Sequence, residues 1–201
     1  MIPFRNVSGP VACLPLDNID TDQLIPARFM TRTRSEGYGD ALLRDLRMDA
    51  NGKPVPDFPL HAETGPVFLV AGANFGCGSS REAAVYALAD FGIRAVLALG
   101  FGDIFHSNAM KNGLLPIVLS LTDNARAMKA GQMTIDLEAQ TVTVQDGGPP
   151  LSFEVPAAAR RRMLEGLDEI SDTLTRLTSI EAHEAVAHRA RPWLLPDISP
   201  T

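Results

Sequence analysis

Two serines, an arginine and a glutamate follow a glycine-rich turn in the stretch NFGCGSSRE, residues 74–82. Gly76 and Gly78 allow backbone conformations and close approaches that a side chain would prevent. A helical pattern begins at about residue 80, so free N–H groups and the positive end of a helix dipole would lie beside these side chains. Arg81 adds a planar guanidinium that can bind a carboxylate through two hydrogen bonds. The stretch therefore predicts a binding site for a small carboxylate or phosphate.

The same side chains also fit a purely structural role. Ser79 and Glu82 have the S-x-x-E spacing of a capping box, in which two side chains satisfy backbone groups at the start of a helix. The spacing alone favours neither interpretation, and both stay open at this point. Cys77 has no histidine close to it in the sequence, which favours a small buried turn residue over a thiolate nucleophile. The stretch also lacks the lysine of a P-loop and the third glycine of a dinucleotide fingerprint.

The segments on both sides of this stretch predict an α/β fold. Continuous apolar runs of strand length, such as VFLVAGA, alternate with helical patterns that end at a glycine. Strands that alternate with helices at this spacing pair in parallel through right-handed crossovers. The expected elements are strands at 67–73, 95–100 and 114–120 and helices at 80–91 and 103–113.

The remaining segments have a different character, and the whole chain, 1–201, is expected to form a single domain. Residues 133–155 alternate in polarity and turn at Gly147–Gly148, which predicts short antiparallel strands. Amphipathic patterns at 157–167 and 171–190 predict two closing helices. Residues 31–64 are rich in Arg, Asp, Gly and Pro, and predict a long irregular excursion with one short helix near 40–47. Loops of this length are usually functional or mobile, and we expect mobility here.

Composition restricts the classes of function. The net charge of −6 argues against nucleic-acid binding, which usually needs a basic face. Cys13 and Cys77 are the two cysteines; they form no disulfide framework and no metal-binding pair, so the cytoplasm is the expected compartment. No apolar run approaches 18 residues, so no membrane span is expected.

Three separated motifs carry a resemblance to a known family. The stretches NFGCGSSRE at 74–82, DNIDTDQLIP at 17–26 and FGDIFHSNAMKNGLLPIVL at 101–119 resemble the small subunits of 3-isopropylmalate dehydratase, which are similar to the swivelling domain of aconitase. The likeness covers most of the chain and includes GLDEI…TL at 166–174. It implies a swivelling β/β/α domain of aconitase type, with a mostly parallel central sheet, flanking helices and a small antiparallel strand set.

The resemblance also implies an activity and a partner. The family belongs to the hydro-lyases and isomerises 2-isopropylmalate and 3-isopropylmalate in leucine biosynthesis, by removing water and adding it back with the hydroxyl moved by one carbon. A large partner subunit, in a heterodimer or heterotetramer, is expected to carry a 4Fe–4S cluster that acts as a Lewis acid. This chain is expected to bind no cofactor of its own, to be inactive alone and to contact the small dicarboxylate substrate.

Matching the motifs residue by residue implies roles for the side chains of the GSSRE stretch. Ser79 is the expected base that removes the proton next to a carboxylate. Ser80 is expected to hydrogen-bond the substrate, and Arg81 to hold a carboxylate. A helix dipole, backbone N–H groups and a guanidinium are donors of the kind that would stabilise a serine alkoxide.

Two further segments are expected to reach the substrate. Thr21 and Asp22 match the TD pair that the family places near the cluster, although a locally capped turn explains the same residues. The substrate-selecting loop of the family falls in RFMTRTRSEGYG, residues 28–39, and Arg34 is the first choice for a second carboxylate contact.

Two departures from the family pattern leave the substrate open. Ala83 stands where SSREHA would have a histidine, and the loop reads R-S-E-G-Y-G where R-T-G-F-G is usual. Related dehydratases that act on dimethylmalate, citraconate-type or methylmalate-type acids, or homoaconitate, share the scaffold. A carboxylate-binding regulatory module is the alternative from another class.

Overall fold

A computed structural model describes residues 1–61 and 65–194, and its frame is a seven-stranded sheet in the order β4-β3-β2-β1-β5-β6-β7. The four strands from β4 to β1 pair in parallel, and β1, β5, β6 and β7 pair antiparallel. The expected antiparallel set is confirmed, and it continues the parallel sheet through β1. The strands are β1 (Asn6–Leu14), β2 (Phe68–Ala71), β3 (Ala95–Ala98), β4 (Leu115–Val118), β5 (Gln132–Asp136), β6 (Thr141–Val144) and β7 (Leu151–Ser152).

β1 joins the two halves of the sheet because it changes partner along its length. Its first half pairs with β5 as far as Pro10, and its second half pairs with β2 from Val11 onward. Proline has no N–H to donate, yet its carbonyl oxygen accepts a hydrogen bond from the Val67 N–H at 2.9 Å. Pro10 therefore stands at the change of partner, where a central strand tolerates it.

The helices on the two sides of the sheet include those that the sequence predicts. They are α1 (Thr21–Leu24), α2 (Arg44–Arg47), α3 (Glu82–Phe91), α4 (Asp103–Lys111), α5 (Leu121–Ala127), α6 (Ala157–Glu165), α7 (Glu169–Leu174) and α8 (Leu177–Ala190). α3 ends at Gly92, which adopts the left-handed conformation as expected. α5 was not expected; the Ser120 hydroxyl caps it by accepting a hydrogen bond from the Asp123 N–H at 3.1 Å.

Two apolar clusters pack on opposite faces of the sheet, because neighbouring side chains of a strand point to opposite faces. Leu69 and Val96 face the cluster that includes α1, α3 and α4. Phe68 and Leu97 face the second cluster, together with the antiparallel strands and α6. Burial on both faces explains why the parallel strands read as continuous apolar runs.

The excursion expected at 31–64 packs partly into the first cluster. Tyr38, Leu42 and Leu60 are buried there, and α2 confirms the short helix expected near 40–47. Residues 62–64 lie outside the described residues. Mobility of this segment stays a prediction.

The last two helices, α7 and α8, lie on the surface. None of their described side chains is buried, and five large apolar residues between 170 and 193 are exposed. Within the described ranges, the structure contains no helix with the length and apolar character to cross a membrane.

Candidate functional site

Three loops leave the carboxyl ends of β1, β2 and β3 side by side. In a parallel sheet these ends lie along one edge, where α/β proteins commonly bind ligands. Backbone hydrogen bonds join the first loop to the second, from Asn18 N–H to the Ala73 carbonyl at 2.8 Å and from Gly76 N–H to the Ile19 carbonyl at 2.7 Å. The second loop joins the third through Phe75 N–H and the Gly100 carbonyl at 2.9 Å. The motifs at 17–26, 74–82 and 101–119 therefore meet at one edge of the sheet.

A pair of asparagines holds the first two loops in register. Asn18 and Asn74 both have φ of 56°, in the left-handed region that asparagine tolerates better than most residues. The Asn74 amide nitrogen donates to the Asn18 amide oxygen at 2.9 Å. The Ala73 N–H donates to the Asp17 carboxylate at 2.6 Å. The sequence alone does not mark Asp17, Asn18 or Asn74 as functional. An asparagine at the end of a strand is the one local signal that could have indicated a left-handed turn.

Glycine is required where the second loop meets α4. Gly76 has φ of 71°, and a Cβ atom there would come closer than 3.0 Å to three side-chain atoms of Phe105. The Phe105 ring packs edge-on against Phe75, with ring centroids 5.3 Å apart. Gly102 lies directly against the Gly76 carbonyl. The loop that carries Ser79 therefore packs closely against aromatic rings.

The structure brings together five of the six predicted site residues. The Thr21 hydroxyl donates a hydrogen bond to the Ser79 carbonyl at 3.0 Å, and Arg81 forms an ion pair with Asp22. The Arg81 side chain is 20% exposed and that of Asp22 is 54% exposed, so both can still reach a ligand. Ser80 lies between Ser79 and Arg81.

The capping-box interpretation of Ser79 and Glu82 is wrong. α3 begins at Glu82, two residues later than expected, and Arg81 occupies its N-cap position without a side-chain capping bond. The Glu82 carboxylate instead accepts a hydrogen bond from the Asn112 amide at 2.7 Å. Ser79 and Ser80 are exposed, and their hydroxyls bond to no other described residue. Their hydroxyls are therefore available for a ligand.

A cleft of about 200 Å³ lies between the second loop and the start of α4. Gly76, Cys77 and Gly78 line one side, and Gly102, Asp103 and Ile104 line the other. Gly102 is the N-cap of α4 and supplies no side-chain cap, so first-turn N–H groups are left for a ligand or water. These donors and the Arg81 guanidinium give this edge of the sheet the chemistry of an anion site.

His106 lies on α4, half-buried beside the Phe101 ring, with ring centroids 5.8 Å apart. Burial lowers the pKa of His106, and the nearby Asp103 carboxylate opposes this only in part. A lowered pKa favours the neutral imidazole at neutral pH.

The structure does not bring Arg34 to this cluster. Both of its terminal nitrogens donate to the Asp90 carboxylate, at 2.6 and 2.8 Å, and its guanidinium lies 4.5 Å from the Tyr86 ring centroid. Asp90 is near the end of α3, whereas the serines precede its start. The sequence alone could not reveal this contact, because Arg34 and Asp90 are 56 residues apart.

Two other arginines of the 28–39 loop also have partners within the chain. Arg28 pairs with Asp45, and Arg32 donates to Asp40 at 2.6 and 3.1 Å. Hydrogen bonding to the Arg32 guanidinium lowers the pKa of the Asp40 carboxyl. Arg28 and Arg32 both lie against the Phe29 ring.

The two cysteines do not form a metal site. The Cys13 thiol lies near the Ala127 and Ala130 carbonyls, whereas Cys77 lines the cleft beside α4. The part of the chain that the structure describes contains no group of three His, Cys, Asp or Glu residues suited to a metal ion. These donors do not fit an iron–sulfur cluster, which needs several thiolates.

Comparisons with known proteins show which family this chain is similar to. The family model of the aconitase C-terminal domain matches residues 1–122, and the LeuD_N model matches residues 120–157. The 3-isopropylmalate dehydratase small subunit of Jannaschia sp. is 46% identical, over 96% of this chain and 100% of that protein. The subunit of the same name from Rhizobium meliloti is 45% identical over the same shares of the two chains.

A solved structure supports the fold independently. The crystal structure of 3-isopropylmalate dehydratase (leuD) from Methanocaldococcus jannaschii aligns with a TM-score of 0.67 and 28% sequence identity. The alignment covers 89% of this chain and 99% of that one.

Proposed function

The chain belongs to the family of 3-isopropylmalate dehydratase small subunits, and on that premise we propose that Thr21, Asp22 and residues 79–81 form its half of a shared active site. It is the small-subunit component of a hydro-lyase that isomerises 2-isopropylmalate and 3-isopropylmalate in leucine biosynthesis. The observation that carries the proposal is the contact of the two motifs, through Thr21 with Ser79 and through Asp22 with Arg81.

Ser79 is the proposed base. Its oxygen takes the proton from the carbon next to a substrate carboxylate, and the electron pair left behind forms the double bond as the hydroxyl leaves the neighbouring carbon. Rehydration reverses these steps, with the hydroxyl returning to the other carbon. A serine hydroxyl is a very weak base, so its alkoxide requires strong stabilisation by nearby donors. Arg81 and the free N–H groups at the start of α3 are donors of this kind.

Arg81 is the proposed carboxylate ligand, and Asp22 its partner when no substrate is bound. A substrate carboxylate can replace Asp22 or share the guanidinium with it, because the Asp22 side chain is 54% exposed and water already competes with it for Arg81. The Ser80 hydroxyl is free to hydrogen-bond the same substrate. Thr21 holds the backbone of Ser79 and is thereby a positioning residue.

We propose that the large subunit holds the 4Fe–4S cluster, because this chain has two cysteines and such a cluster needs several thiolates. When bound there, the cluster supplies a Lewis acid toward the departing hydroxyl. The small subunit is therefore expected to be inactive alone. Two unpaired thiols are in keeping with our proposal that the complex works in the cytoplasm.

The substrate loop and Ala83 leave room for a difference in selectivity within the family. Ala83 is half-buried and packs against the first apolar cluster, so this position in the first turn of α3 carries no imidazole. We propose that residues 1–201 act as one domain and that residues 31–64 adjust when the partner binds. Related diacids that differ in their alkyl group test this selectivity.

Reconstitution tests the function directly. We would mix the chain with its cluster-loaded large subunit and follow the absorbance of the unsaturated intermediate with isopropylmalate, dimethylmalate, citraconate and homoaconitate. We expect turnover that needs both subunits and is fastest with isopropylmalate. Absence of turnover with every diacid would contradict the proposal. Binding of a diacid to the small subunit alone, without turnover in the complex, would instead support a regulatory module.

A further inference from the structure

A cavity of about 500 Å³ lies at the carboxyl end of α3, the end of that helix opposite to Ser79. The segment 36–48 forms one wall of the cavity, and Asp90 and Phe91 form the other. An α-helix rises about 1.5 Å per residue, so Phe91 lies about 14 Å from the start of α3. The cavity is therefore separate from the catalytic loop, residues 72–81, which carries the serines.

The segment 36–48 packs directly on the end of α3. A Cβ atom on Gly39 would lie 2.8 to 2.9 Å from the backbone of Asp90 and Phe91, so only glycine allows this approach. The Tyr38 N–H also donates to the Asp90 carboxylate at 2.9 Å. Backbone packing and this hydrogen bond hold the wall of the cavity against α3.

Arg47 is a buried cation at this wall, and its donors are only partly used. Its exposed fraction is 3%. Its Nε donates to the Leu42 carbonyl at 2.6 Å, and its Nη2 donates to the Asp40 carbonyl at 2.9 Å. Its Nη1 bonds to no other described residue, and no fully buried side-chain nitrogen or oxygen of the described residues lacks a partner, so Nη1 is accessible. Because Arg47 lines the cavity, Nη1 is a charged donor that a ligand there can use.

Arg44 supplies a second guanidinium to the same wall. Its side chain is half-buried and forms no hydrogen bond or ion pair with another described residue. Arg44 and Arg47 are three residues apart on α2, which places them on one face of the helix. Burial, and then the nearby Arg44 charge, lower the pKa of the Arg47 guanidinium. An anion bound between the two arginines relieves this repulsion and accepts their unused N–H groups.

The three carboxylates that line the cavity are already hydrogen-bonded within the chain, and their partners are Arg32 for Asp40, Arg34 for Asp90 and Thr33 for Glu36. The two aspartates are thereby neutralised by arginines, which leaves one carboxylate against two guanidiniums. The carboxyl end of α3 adds about half of a negative elementary charge, which is less than the remaining positive charge. The balance of charge in the cavity therefore favours an anion.

Apolar surface lies beside the two guanidiniums. Phe91 and Met48 are half-buried and line the cavity, and the Arg47 guanidinium lies 4.8 Å from the centroid of the Phe91 ring. A volume of this size is typical of sites that hold small organic ligands. A ligand that matches both features has a carboxylate at one end and an apolar body at the other.

We propose that this cavity is a second ligand site, which binds a small aliphatic carboxylate through Arg44 and Arg47, with its apolar body against Phe91 and Met48. The proposal does not depend on the reaction at Ser79. Because one wall is the segment 36–48 and the other is α3, a bound ligand stabilises the contact between them. Binding should therefore raise the melting temperature of the chain.

A titration of the full chain with 4-methylpentanoate tests the proposal. We would label the chain with ¹⁵N and follow its backbone amide signals, because these report where the ligand binds as well as how tightly. We expect saturable shifts at Gly37, Gly39 and Phe91. Two further probes separate the parts of the ligand: acetate lacks the apolar body, and 4-methylpentanamide lacks the charge. Both should bind more weakly than 4-methylpentanoate.

Arg44→Gln is the informative variant, and Arg5→Gln is its matched control. The Arg44 guanidinium has no partner within the described chain, so its loss should leave the melting temperature without ligand unchanged. Arg5 is exposed before β1 and does not line the cavity. We expect Arg44→Gln to raise the dissociation constant of 4-methylpentanoate by about tenfold or more, and Arg5→Gln to leave it unchanged.

Several outcomes would overturn the proposal. Absence of saturable shifts would do so, as would equal affinity of wild type and Arg44→Gln. Shifts confined to residues 79–81 would assign the ligand to the site around Ser79 instead. Equal binding of the amide would contradict recognition of the carboxylate, and equal binding of acetate would contradict the contact with Phe91 and Met48. Each of these outcomes leaves the proposed function intact, because that function is measured by turnover of the reconstituted complex.

Discussion

Gly76→Ala tests whether the packing beneath the catalytic loop sets the position of Ser79. Gly76 has φ of 71°, and a Cβ atom would meet the Phe105 side chain. The left-handed conformation costs an alanine about 1 to 2 kcal/mol. Insertion of a methyl group into a packed site costs about 1 to 3 kcal/mol more. We therefore expect the free energy of unfolding to fall by about 2 to 5 kcal/mol.

Gly147→Ala is the control for the backbone term. Gly147 has φ of 74° and lies in a surface turn where a Cβ atom would meet nothing within 4 Å. Gly147→Ala should therefore lower the free energy of unfolding only by the cost of the left-handed conformation, about 1 to 2 kcal/mol. Urea unfolding at constant pH gives both values, and their difference reports the contact with Phe105.

The same variant has a functional consequence. Gly76 precedes Ser79 by three residues and touches Gly102, so relief of the clash must move the loop or α4. A misplacement of about 1 Å at a catalytic group can cost about 100-fold in rate. We expect kcat of the reconstituted complex to fall by about that factor, with Gly147→Ala unaffected. Equal destabilisation by the two alanines, with normal turnover, would refute the conclusion that packing against Phe105 positions the loop.

Other changes examine separate parts of the site. Arg81→Lys should raise KM by about tenfold or more, because an ammonium group cannot replace a guanidinium that binds a carboxylate through two hydrogen bonds. An unchanged KM would show that Arg81 does not bind the substrate carboxylate. Arg34→Gln should lower the melting temperature because it breaks the pair with Asp90, and it should leave KM unchanged. A higher KM at a normal melting temperature would instead show that Arg34 contacts the substrate. Burial lowers the pKa of His106 in the folded chain, so the free energy of unfolding should decrease as pH falls below about 6.5. His106→Gln should flatten that decrease in urea unfolding at about pH 7.5 and about pH 5.5, and an identical pH dependence would contradict this role.

Much of the fold could be predicted because burial on both sheet faces leaves a strong pattern in the sequence. The strands around residues 68–71, 95–98 and 115–118 are uninterrupted apolar runs, and glycines end the helices between them. The strand β1 could not be predicted from the sequence, because a proline such as Pro10 is unusual in a central strand. Only the change of partner at Pro10, a tertiary feature, makes that proline compatible with the sheet.

The site was predictable where its residues lie next to one another in the chain, and less so where it depends on folding. The group from Ser79 to Arg81 is local, and its exposure follows from the loop. The capping box was wrong because tertiary contact with Asn112 draws the Glu82 side chain away from the serines. No local signal in the sequence reveals the pair of Arg34 with Asp90, which holds Arg34 away from the serines in this structure.

Ser79→Ala in the reconstituted complex tests the central claim most directly, with Ser80→Ala as the neighbouring control. We would measure kcat for isopropylmalate and the dissociation constant of the substrate in each complex. Loss of a positioned base costs about 100- to 10,000-fold in rate, so kcat of Ser79→Ala should fall into that range or below detection while substrate still binds. Ser80→Ala should mainly weaken binding. Near-normal turnover by Ser79→Ala would contradict the assignment of Ser79 as the base.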